Sequence, residues 1–111
     1  MEHLAATANI RLGRWAEAEA HAHRSLSLLR PHLVRNRAMV SAHLAHAQLA
    51  QGALEEAVVA ARTVPADIAY SSGRIGHLLD SFGNRIEAIA PGTAEARTWA
   101  QYTRDHRRTT G

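Results

Sequence analysis

The 111-residue chain is 46% hydrophobic but only 5% aromatic, lacks cysteine and carries a formal net charge of +3. The missing cysteines exclude disulfides, thiolate catalysis and zinc–thiolate sites. No run of about 18 apolar residues is present, which excludes a helical membrane span. All 13 basic residues are arginine, so arginine at any one position says little about bidentate recognition. The net charge permits an acidic partner without indicating one. The opening residues have neither a basic segment nor a continuous apolar one, so the expectation is a cytoplasmic protein with no secretory signal.

Alanine occupies 23 positions. It has the highest helix propensity and allows close helix approach, which points to an all-α chain. The periodicity predicts six helices in three antiparallel hairpins. The first covers about Glu2 to Leu12 and starts without a cap, as the edge of something longer would. The second, about Arg14 to Arg30, carries Trp15, Ala18, Ala22, Leu26 and Leu29 on one stripe and stops at Pro31, because proline disfavours the α conformation before it. The third, about His32 to Gln51, aligns Val34, Ala38, Ala42, Ala45 and Leu49. The fourth runs from about Ala53 to Val64 and ends at Pro65. The fifth, about Ser72 to Ala90, shows the stripe Ile75, Leu78, Leu79, Phe82, Ile86 and Ile89. Pro91-Gly92 then breaks the chain, Thr93 is an N-cap candidate, and a last helix runs to about Arg107 with Trp99 inward.

Two segments repeat. Leu12-Gly13-Arg14-Trp15-Ala16-Glu17-Ala18 and Gln51-Gly52-Ala53-Leu54-Glu55-Glu56-Ala57 align with their glycines 39 residues apart. Helix, glycine turn, bulky residue and alanine-bearing helix form the unit of a helical repeat. The block resembles a tetratricopeptide repeat: Gly13, Trp15 and Ala18 match its turn and second helix, as do Gly52, Leu54 and Ala57. Ala6 and Ala45 match its small residue in helix A. The spacing exceeds the usual 34, and Glu2 and Ser41 stand where the family has tryptophan. More broadly, the Ser-Ser-Gly-Arg-Ile helix and arginine-rich last helix resemble the C-terminal halves of actinobacterial helix-turn-helix regulators. That resemblance implies one domain over 1–111: repeats at about 1–31 and 32–65, a degenerate hairpin at 66–108 and a tail at 109–111.

Nothing in the pattern is catalytic. Gly73-Arg-Ile-Gly76 lacks the strand and lysine of a phosphate loop. No strained turn accompanies any serine that could serve as a nucleophile. Asp80 and Glu87 are explained by solvent or ion pairs. His43 and His46 lack the glutamate of a zinc-protease helix, and His21 and His23 point apart, so no metal or cofactor is expected. Arg30, Arg35 and Arg37, with Arg104, Arg107 and Arg108, raise a DNA reading. Arg30, Arg62 and the terminal group sit in last helical turns, however, where cations complement the helix dipole. Leu54 to Ile75 vaguely matches a helix-turn-helix, but Thr63 replaces the turn glycine.

The tetratricopeptide resemblance implies a concave groove at His3, Thr7, Ile10 and Arg11 of the first repeat and Met39, His46 and Leu49 of the second. The expected function is non-catalytic binding of a protein or peptide partner, as the sensing or assembly part of a bacterial transcriptional regulator. Alternatives are a small DNA-binding regulator and a dimerisation module pairing two copies through the uncapped first hairpin.

Overall fold

In the computed structural model the described backbone covers residues 2–71 and 73–110, with side chains described for 13–69, 71 and 73–105. It is all-helical: α1 (Glu2–Leu28), α2 (Val34–Ala50), α3 (Leu54–Arg62), α4 (Ala66–Ser71), α5 (Gly73–Ile89) and α6 (Ala94–Thr110). No described residue lies in a strand, and no described helix is long and apolar enough to cross a membrane.

The six-helix total agrees with the sequence reading, but two helices differ from it. Gly13 does not break the chain. It lies inside α1, a single helix of 27 residues, and its φ is not positive. A lone helical glycine costs about 1 kcal/mol, which the alanine- and glutamate-rich flanks absorb. The sixth helix is instead the short α4. It opens at Pro65, whose carbonyl oxygen accepts from the backbone N–H groups of Ile68 and Ala69.

Gly52 does make its turn. Its φ of +81° suits a residue without Cβ. The backbone N–H groups of Gly52 and Ala53 return to the carbonyls of Leu49 and Gln48, the paired bonds of a Schellman stop. Its structural counterpart is Gly92, with φ +76°, between α5 and α6. Thr93 caps α6 as its sequence position implies: its Oγ1 accepts from the backbone N–H of Ala96 at 3.2 Å.

Helix α2 is the central element, with α1, α3 and α5 all packed on it. Its buried face is built from Ala38, Ala42, Ala45 and Ala47, whose small side chains let three neighbours approach. From α5, Ile75, Leu79, Phe82 and Ile86 enter the same core as Ala57, Val58 and Ala61 of α3 and Trp99 of α6. Ile89, on the expected stripe, is 54% exposed, because the helix ends there and leaves the core. Trp99 stands edge-on to Phe82 with centroids 5.2 Å apart and stacks on Tyr102 at 5.4 Å. The Tyr102 hydroxyl donates to the Arg62 carbonyl at 3.4 Å, tying α6 to the end of α3.

Candidate functional site

Three polar clusters stitch the helices together, and they take up Arg37, His46 and His23 among the polar residues that the sequence left as candidates. Arg37 reaches from α2 to the end of α1, where its guanidinium donates to the carbonyls of Leu26 at 2.9 Å and Leu29 at 3.3 Å. These carbonyls belong to the last turn and end of α1, where intrahelical partners run out. Arg37 is therefore a cross-helix cap, its guanidinium engaged by the end of α1.

The second cluster centres on His46. Its Nε2–H donates to the Leu78 carbonyl at 2.8 Å, and its Nδ1 accepts from the Arg85 guanidinium at 2.7 Å. Its ring stands edge-on to Phe82. Burial, the largest cause, and the nearby Arg85 and His43 charges hold its pKa below the ordinary histidine value, against the opposing bond to Leu78. The guanidinium of Arg85 also lies 5.7 Å from the Trp15 ring centroid, which brings α1 into the α2–α5 contact.

The third cluster joins α1 to the end of α2. Glu19 accepts from Gln48 Nε2 at 3.2 Å and from Gln51 Nε2 at 2.8 Å. His23 approaches the same carboxylate at 3.4 Å. The Gln48 bond, the largest cause, together with Gln51 and His23, lowers the Glu19 pKa despite partial desolvation.

The groove proposed from sequence is divided by this packing. The side chains of His3, Thr7, Ile10 and Arg11 lie outside the described residues. Leu49 is 1% exposed and belongs to the core, so it offers no groove floor. His46 is covered by α5, which the sequence could not place against it. Among the described groove residues only Met39 reaches an open surface, an apolar cleft of about 440 Å³ with Ser25, Leu28, Leu29, Asn36 and Val40.

A different cleft has the mixed character of a binding site. It lies between α1 and α3 over α2, holds about 470 Å³, and is lined by His23, Leu26, Leu44, Gln48, Glu55, Glu56, Val59, Ala60 and Thr63. Leu26, Leu44 and Ala60 supply apolar floor, while Glu55 and Glu56 stand in the first turn of α3. Val59 is 57% exposed, although it adjoins the buried Val58 and Ala60. The sequence did hold this signal, since a valine falls on the otherwise polar face of α3. It could not show that α1 would wall the other side. Among the described residues, no three histidine or acidic side chains converge as a metal site would need. Compared with known proteins, the chain matches no family model, no curated protein and no solved structure.

Proposed function

We propose that the chain is a non-catalytic module that binds a peptide segment of a protein partner in the α1–α3 cleft. The observation that carries this reading is Val59, a large aliphatic side chain left 57% exposed beside Leu26, Leu44 and Ala60 in a cleft rimmed by carboxylates. An apolar floor with a few placed polar groups is the usual make-up of a recognition site. In line with the regulator resemblance, the module serves as the sensing or assembly half of a bacterial transcriptional regulator, and DNA is engaged only indirectly.

The test is selection of binders from a displayed library of random dodecapeptides, followed by calorimetry of those recovered. Val59→Asp, a surface change, is expected to weaken them at least roughly tenfold, the equivalent of one lost apolar anchor. Recovery of no binder, or equal affinity for the variant, overturns the reading.

A second reading, pairing of two copies, draws on Leu28. It is 77% exposed at the cleft that holds Met39 and Val40. Sedimentation of the wild type as a dimer and of Leu28→Asp as a monomer would support it; a monomeric wild type would remove it.

A further inference from the structure

Every polar side chain lining the α1–α3 cleft presents a hydrogen-bond acceptor. Glu55 and Glu56 are carboxylates, which when ionised only accept. Thr63 has its hydroxyl proton committed to the Ala60 carbonyl at 2.6 Å, leaving lone pairs alone. Gln48 gives one of its two amide N–H groups to Glu19 at 3.2 Å. That bond also fixes the amide's orientation, because the reverse would set its oxygen against a carboxylate. Gln48 Oε1 is consequently buried with no hydrogen-bond partner. His23 meets the Glu19 carboxylate through Nε2, which in the neutral ring leaves Nδ1 as an acceptor. No arginine lines the cleft, although the chain as a whole is basic.

We infer that the segment bound in this cleft is basic: an apolar anchor covers Leu26, Leu44 and Val59, and a flanking arginine or lysine meets Glu55 and Glu56. Such a side chain carries several donors and no acceptor, which complements the Glu55 and Glu56 carboxylates and the unpartnered Gln48 Oε1. A partner bearing carboxylates would set acceptor against acceptor and charge against like charge. Helix α3 spans nine residues, or about 13 Å at the helical rise, so the contact accommodates two to three turns of a partner helix. The inference rests on the peptide-binding reading and adds the chemistry of the partner.

It is tested by fluorescence anisotropy with a labelled amphipathic peptide carrying leucine and arginine at helical spacing. A second probe has glutamate in place of each arginine. The arginine peptide is expected to bind the wild type, with affinity falling as salt rises. The Glu55→Gln, Glu56→Gln double variant should weaken it roughly fivefold to tenfold, and Val59→Asp should reduce it further. Equal or tighter binding of the glutamate peptide overturns the basic partner, as does indifference to the double variant. So does recovery of acidic dodecapeptides whose binding Val59→Asp abolishes, a result that leaves peptide binding itself standing. Competition by free argininamide at the peptide's own concentration would also overturn it, because the apolar anchor would then contribute nothing.

Discussion

The Nδ1 of His46 accepts a hydrogen bond from the Arg85 guanidinium at 2.7 Å while its Nε2–H is held by the Leu78 carbonyl. With one nitrogen donating and the other accepting, the imidazole is locked as the neutral Nε2–H tautomer. A proton on Nδ1 would point at a cation and break the α2–α5 contact. The lowered pKa of His46 agrees with this geometry. In the unfolded chain the ring takes a proton below about 6.5, whereas in the native state it does so only at lower pH. The stability that His46 contributes is therefore complete above that value and is lost as pH falls toward the depressed native one. Urea midpoints should drop between about pH 7.5 and about pH 5, and His46→Gln should flatten that drop. An identical pH profile in the variant would show that the pair does not govern acid sensitivity.

Glu19 titrates with the same sign in a lower window. Its lowered pKa, due first to Gln48, adds stability above the ordinary carboxylate value of about 4.3 that is lost as pH falls through the native value. Replacing it leaves the buried Gln48 amide without its acceptor. Glu19→Ala should cost about 1–3 kcal/mol at neutral pH, measured by urea unfolding. A change under about 0.5 kcal/mol would mean that water satisfies the amide as well as Glu19 does.

Helix propensity and packing give opposite signs for Gly83. Alanine there should gain about 1 kcal/mol on propensity alone. Its Cβ, however, would stand 2.9 Å from Trp99 Nε1, and Trp99 is buried and fixed between Phe82 and Tyr102. Packing prevails, and Gly83→Ala should destabilise by about 1–3 kcal/mol. Gly76→Ala should behave likewise, with the Ala69 carbonyl oxygen 2.7 Å from the added carbon. A raised melting temperature in either variant would contradict the close approach.

Gly13 and Gly52 form the sharpest contrast. At Gly13 an added Cβ meets nothing within 4 Å and the residue is helical, so Gly13→Ala should stabilise by up to about 1 kcal/mol. At Gly52 the positive φ makes the same substitution costly by about 1 kcal/mol or more. Thermal unfolding of the pair decides whether the two glycines share a role: shifts of the same sign would restore the Gly13 turn.

Thr93 supplies a plainer check. Its Oγ1 accepts the Ala96 N–H at 3.2 Å and donates to the Ala90 carbonyl at 2.7 Å. Thr93→Ala should cost about 1 kcal/mol by chemical denaturation, while Thr93→Ser should be near neutral.

The helical class, the breaks at Pro31, Pro65 and Pro91-Gly92, the Thr93 cap and the buried stripe from Ile75 to Ile86 are all legible in the chain's local pattern. All of these follow from local causes: propensity, the fixed φ of proline and 3.6-residue periodicity. The repeated glycine block was locally ambiguous, because a glycine after an apolar helix reads the same whether the helix stops or continues. Tertiary packing decided it: at Gly52 the chain turns back and α3 packs on α2, whereas α1 runs on through Gly13. The site was still less legible. Leu49 and His46 look like groove residues until α5 covers one side of α2. Leu26, Gln48, Glu55 and Val59 come from three helices and form a cleft only once α1 and α3 flank α2. Which face of α2 stays open depends on neighbours distant in sequence, and no local pattern encodes that choice.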